Sequence, residues 1–221
     1  MELSVVIGIA WLAFHEALRW KIAPIFGDAD TGGAPRWRSA LGLPTQLAVL
    51  PLLALLSYIS AGSWTAWCHS CAEKDSLGTF DVGFSYVFAG LLLADLVTMR
   101  LGPLVKLHHI ACFAGHFVAT ILVPGPFPAY CVGVVALEAG SGAISAHYLG
   151  PKCFNFYALV AALTVSNLLA LAAIFSWRIH SLATGLAPGA GWACVLVSLV
   201  IVILRQKELF HIRRLRLDKL R

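Results

Sequence analysis

Hydrophobic runs at 3–20, 41–60, 81–99, 103–123, 128–148, 155–177 and 189–205 alternate with short polar or Gly/Pro-rich stretches. About 20 apolar helical residues cross a hydrocarbon core of about 30 Å. Each run therefore predicts one transmembrane helix, and the pattern predicts an all-α integral membrane fold with seven of them. The breakers are Gly27 to Pro35, Trp64 to Gly78, Gly102-Pro103, Pro124-Gly125-Pro126, Gly150-Pro151 and Gly185 to Gly189. Clusters of this kind mark turns and helix ends. The third and fourth runs are joined by a few residues, which predicts a tight antiparallel hairpin. The second contains Pro44 and Pro51, and Pro51 predicts a kink. No internal repeat or low-complexity segment interrupts the series.

Composition agrees with the pattern. The chain has 221 residues, 59% hydrophobic and 12% charged, with a mean hydropathy of +0.82; soluble domains carry about 25% charged residues. The net charge of +5 is not a nucleic-acid signal, because the basic residues lie between and after the runs. With seven spans, one side receives Arg19, Lys21, Arg36, Arg38, Arg100, Lys106 and Lys152, then Arg205, Lys207, Arg213, Arg214, Arg216, Lys219 and Arg221. Only Lys74 and Arg178 fall on the other. Cytoplasmic loops carry the excess of Lys and Arg, so the C-terminus is expected in the cytoplasm and the N-terminus in the lumen or outside. The first run lacks a basic n-region and a small-residue cleavage site, and reads as an uncleaved anchor. The final basic stretch interleaves Leu215, Leu217 and Leu220 with cations. It suits either an anionic leaflet surface or a solvated extension.

The candidate chemistry lies inside the runs. An ionisable residue in lipid is costly and marks a functional site by default. His108 and His109 stand five and six residues from Pro103, about 8–9 Å in from the cytoplasmic side at 1.5 Å per residue. Asp95 is about 6 Å from the same side by that rule. A carboxylate beside an imidazole orients the ring for general acid/base work; the plainer alternative is an Asp–His bond that ties two helices together. His109 and His116 are seven apart and share a face, whereas His108 is turned by 100°. Glu138 lies near the middle of the fifth run, where an unpaired carboxylate needs a partner. His116, deeper than His109, is its expected neighbour. The predicted polar track runs from Asp95, His108 and His109 at the cytoplasmic mouth through His116 to Glu138, with a lipid tail against Gly140 and Gly142. No clustered HxxxH or HxxHH boxes occur, so no metal or other cofactor is expected. Cys68-His-Ser-Cys71 lies in a non-cytoplasmic loop. It suits a local disulfide, a redox or zinc role, or two unpaired thiols.

Several of these residues together resemble a known family. Phe84-Ser-Tyr-Val-Phe88, Leu93-Ala-Asp95-Leu, Leu101-Gly102-Pro103 and Leu107-His108-His109, followed by Leu137-Glu138-Ala-Gly-Ser and Phe175-Ser-Trp-Arg178, are similar to the core of TLC-domain proteins. That multispanning lipid-handling group includes the ceramide synthases. The resemblance covers roughly residues 40–205, in the right order. It implies six helices around a lipid-accessible polar cavity. The chain then divides into a first helix with its cytoplasmic loop (1–40), the six-helix domain (41–205) and a basic cytoplasmic tail (206–221). Ceramide synthases carry a second polar segment after the His pair, with Asn, Arg and a later His-Asp. Here the sequence runs Ile110-Ala-Cys-Phe-Ala-Gly-His116-Phe, which is closer to the short branch linked to membrane lipid composition.

The leading expectation is a protein of the endoplasmic reticulum or another secretory-pathway membrane that binds or regulates a membrane lipid or acyl chain. Asp95, His108, His109, His116 and Glu138 would line its pocket. The second is an acyltransferase of ceramide synthase type that draws acyl-CoA from the cytoplasm, with His108, His109 and Asp95 as catalytic residues. The third is a structural subunit of a membrane complex. Sequence leaves homo-oligomerisation and complex membership open.

Overall fold

A computed structural model of the chain describes residues 3–26, 30–31, 34–71, 77–98, 101–122, 125–150, 155–183 and 191–218. They are almost entirely helical: α1 (Leu3–Phe26), α2 (Arg36–Pro44), α3 (Leu50–Ala61), α4 (Trp64–Ser70), α5 (Thr79–Thr98), α6 (Pro103–Phe117), α7 (Phe127–Leu149), α8 (Phe156–Ala183) and α9 (Gly191–Asp218). A two-residue ladder, Asp30–Thr31 (β1) against Ala34–Pro35 (β2), sits between α1 and α2.

The helices α2 and α3 are one rod. A π-helical turn over Thr45–Val49 joins them, and the Leu50 N–H reaches back to the Thr45 carbonyl. Pro51 stands in the first turn beyond it. The Pro ring clashes with the carbonyl four residues earlier and offers no N–H, and a π turn is the local widening that absorbs such a conflict. Where a kink is expected at Pro51, the helix continues through a π turn. At the other end, Gly62 takes φ 79° and closes α3, and the Ser63 side chain then caps α4 by accepting from the Ala66 N–H at 3.1 Å.

Five helices among the described residues are long and apolar enough to cross a membrane: Arg36–Ala61, Thr79–Leu96, Pro103–Ile121, Phe127–Leu149 and Phe156–Ala183. The chain is a multi-pass, all-helical integral membrane protein. The seven-span expectation is met as far as these five. The first and last predicted spans fall on α1 and α9, of 24 and 28 residues. Large apolar side chains such as Leu168 and Leu169 of α8 point outward, as lipid-facing residues do. The core gathers Leu50, Trp67, Phe84, Phe88, Cys112, Phe127 and Cys131 between α3, α4, α5, α6 and α7.

Helix boundaries differ from the hydropathy pattern in two places that matter for function. The second span begins at Arg36, five residues before the apolar run, so Arg36 and Arg38 are helical and not loop residues. The last helix continues to Asp218, which carries Arg205 into its interior.

Candidate functional site

Three elements converge on one carboxylate. Arg38 from the first turn of α2 donates Nε–H to Asp95 Oδ2 of α5 at 2.9 Å, and its Nη2 meets the same oxygen. From α6, His109 Nε2 lies 2.9 Å from that oxygen and 3.4 Å from Arg38 Nη2. His109 Nδ1 stands 2.8 Å from the Val105 carbonyl. A carbonyl can only accept, so Nδ1 carries a proton there and Nε2 is left facing Asp95. The Asp–His pairing expected from the sequence is present. Sequence reasoning misses Arg38, because a cation just ahead of an apolar run reads as part of a loop.

His108 turns the other way, as the 100° rotation requires. Its Nε2 lies 3.5 Å from Cys112 Sγ, and its ring closes a cavity of about 90 Å³. Among the residues lining this space are His15, Arg38, Asp95, His109, Glu138 and Arg205. Its volume holds a few waters. Gln46, in the π turn, hydrogen-bonds Glu138 and accepts from Ser145 Oγ at 3.4 Å. His15 is 7% exposed, and its Nδ1 has no hydrogen-bond partner among the described residues.

Arg205 is the largest departure from the sequence reading. The charge pattern groups it with the cytoplasmic basic residues, yet it is 2% exposed. It donates from Nε to Asn167 Oδ1 at 3.1 Å, from Nη1 to Ser141 Oγ at 2.8 Å and from Nη2 to the Leu137 carbonyl at 2.7 Å. The available signal was spacing: Val197, Ile201 and Arg205 recur at i, i+4, i+8 and so share one face of α9.

Two sequence expectations change here. His116 is not the neighbour of Glu138. Its Nδ1 pairs with the Tyr130 hydroxyl at 2.9 Å, while Glu138 turns to Gln46. Gly140 and Gly142 do not form a wall for a lipid tail. A Cβ on Gly140 would stand 2.6 Å from Arg205 Nη2, and one on Gly142 would stand 2.8 Å from Leu47 Cδ2. The first glycine admits Ser166 of α8 and the guanidinium, and the second admits a neighbouring helix, the ordinary use of small residues in membrane packing.

Apolar space lies deeper. A cavity of about 50 Å³ is lined by Gly115, Ala119, Gly133, Ala170 and Cys194 among others. A smaller one of about 20 Å³ adjoins both larger cavities. It shares His108, Glu138 and Arg205 with the polar cavity and Tyr130, Val134 and Ile201 with the apolar one. The three form a row graded from charged to apolar.

Outside the row, Cys68 and Cys71 are free, buried thiols. Burial pushes both up, Cys71 to about 12 with help from the Asp81 charge. Asp81 itself accepts from Trp67 Nε1 at 3.0 Å and from the Gly78 N–H at 2.9 Å, which locks α4 onto α5. Arg178 lies 4.9 Å over the Trp192 ring and donates to Ser181 Oγ at 3.1 Å. Among the described residues, no cluster of three or more His, Cys, Asp or Glu side chains could hold a metal.

This is the site of a multi-pass membrane protein with ionisable residues on an interior cavity. In comparisons with known proteins, no family model, no curated protein and no solved structure matches the chain.

Proposed function

We propose that the chain binds a membrane lipid in this interior row of cavities, as the TLC-domain resemblance implies. The observation that carries the reading is the gradient itself. A wall of Arg38, Asp95, His109, Glu138 and Arg205 passes into one of Gly115, Ala119, Gly133 and Ala170. An amphiphile has the same gradient, and ligand sites are mostly apolar with a few placed polar groups. In this reading α1 and α9 also cross the bilayer; at 1.5 Å per residue they are about 36 and 42 Å long. That gives seven spans, with the polar mouth and the C-terminus on the cytoplasmic side of a secretory-pathway membrane.

A photoactivatable single-chain lipid added to membranes tests the proposal. Cross-links are expected on peptides that contain Ala119, Gly133 or Ala170. Cross-links confined to outward residues such as Leu168 and Leu169 would refute it.

One observation favours a second reading, an acyl-CoA-dependent acyltransferase. With His109 Nδ1 held by the Val105 carbonyl, Nε2, 2.9 Å from Asp95 Oδ2, is the nitrogen that would take a substrate proton as general base, exchanging its contact with Asp95 to do so. Labelled acyl-CoA offered with amine or alcohol acceptors separates the two. Turnover that disappears in His109→Ala supports the enzyme; binding without turnover supports the lipid-binding protein.

A further inference from the structure

We infer that Arg205 anchors an oxyanion site, and that the lipid taken by the cavity is a single-chain amphiphile with a carboxylate or phosphate-monoester head. The inference rests on the lipid-pocket reading and narrows its ligand class.

The two cavity arginines are in opposite situations. Arg38 has its counter-ion, Asp95, on the fork of its guanidinium. Arg205 is 2% exposed, and its three hydrogen bonds go to a carboxamide oxygen, a hydroxyl and a backbone carbonyl, all neutral. A guanidinium has five N–H donors, so two lack an acceptor among the described residues. No described carboxylate oxygen lies within 4.0 Å of its nitrogens. Glu138 acts on Arg205 only through space, beyond ion-pair distance, and a buried cation without an anion in contact is unfavourable. Arg205 lines both the polar cavity and the small one beneath it, so an anion can reach it from that space.

The guanidinium is also held in place before any ligand arrives. Asn167, which accepts from Nε, is itself fixed by donating to Gln206 Oε1 at 2.9 Å. Gly140 leaves the clearance the guanidinium occupies. Such a preset planar fork matches carboxylate and phosphate geometry. Glu138 faces the same space, so the head shares one proton with its carboxyl and the two acids do not repel. The space beyond Arg205 admits no more than one chain, and only its first methylenes: cavities of about 20 and then about 50 Å³, the second walled by Gly115, Ala119, Gly133 and Ala170.

The test uses the full chain purified in a non-ionic detergent. Palmitate, hexadecyl phosphate, hexadecanol and inorganic phosphate are titrated in turn and read by native mass spectrometry. Palmitate and hexadecyl phosphate should bind at least about tenfold more tightly than hexadecanol, the scale of a charge-assisted hydrogen bond. Arg205→Gln should remove that preference, and Arg205→Lys should keep part of it. Hexadecanol binding as tightly as palmitate would overturn the oxyanion site and leave the lipid pocket standing. Inorganic phosphate binding as tightly as hexadecyl phosphate would overturn the amphiphile in favour of a free ion. If none of the three chain-bearing probes binds, the lipid-pocket reading fails as well. The comparison of probes on the unmodified chain decides the matter even if an Arg205 variant does not fold.

Discussion

Asp95 carries more of the site than any other residue, because Arg38 and His109 both address the same oxygen. Asp95→Asn would remove the charge that Asp95 sets against Arg38, and removing one partner of a pair is more damaging than losing both. Arg38 is 24% exposed on its side chain, so solvent softens the loss. A destabilisation of about 2 kcal/mol is expected, and Arg38→Gln in the same background should recover part of it. Thermal unfolding of the two single variants and the double variant measures the coupling. Gly140 gives a sharper contrast. Gly140→Ala drives a methyl into Ser166 Oγ and to 2.6 Å from Arg205 Nη2, whereas at Gly42 the nearest atom is Gln46 Oε1 at 3.6 Å. The first should cost about 1–3 kcal/mol by overpacking; the second should be close to neutral. Cys71 makes a pH prediction. Its thiol is held up to about 12 against an ordinary 9.0, so the folded state keeps the proton that the unfolded state gives up. Stability from this group is complete below pH 9, and it declines as the pH rises from there towards 12. Alkylation of Cys71 at pH 8 should be slow in the folded protein and fast after denaturation.

At the scale of the elements, the helices were legible because hydropathy and Pro/Gly punctuation are local signals. The five spans lie within a few residues of the apolar runs, and the conflict at Pro51 emerged as the π turn over Thr45–Val49. What the pattern could not show was where helices begin and end in charged sequence. Arg38 and Arg205 read as loop cations because charge is the usual sign of a helix leaving the membrane. Only the tertiary arrangement supplies the acceptors that make burial tolerable: Asp95 for the first, and Ser141, Asn167 and the Leu137 carbonyl for the second. The same limit explains His116, since depth along a helix says nothing of which neighbour a side chain turns to. It found Tyr130. The capping of α4 is testable on its own. Ser63→Ala removes the acceptor of the Ala66 N–H and should cost about 1 kcal/mol locally. Faster maleimide labelling of Cys68 would report the frayed helix.

At the scale of the molecule, the site depends on helices distant in sequence meeting at one depth. α2, α5 and α6 build the Asp95 cluster; α7, α8 and α9 hold Arg205. The helix α9 thus contributes Arg205 to the wall of the interior cavity. If α1 and α9 both span, a tag after Arg221 is accessible from the cytoplasm and one before Met1 is not, as the basic-residue asymmetry requires. Protease protection of the two tags checks this, and equal accessibility would overturn the seven-span arrangement. The central claim is that the interior row of cavities holds a lipid, and native mass spectrometry of the gently extracted protein tests it most directly. Ser145, 4% exposed and on the polar cavity wall, is a place to fill that space. The account predicts one lipid mass on the unmodified chain that is lost in Ser145→Phe while the variant still folds. A chain with no bound lipid, or the same lipid retained by both proteins, would contradict it.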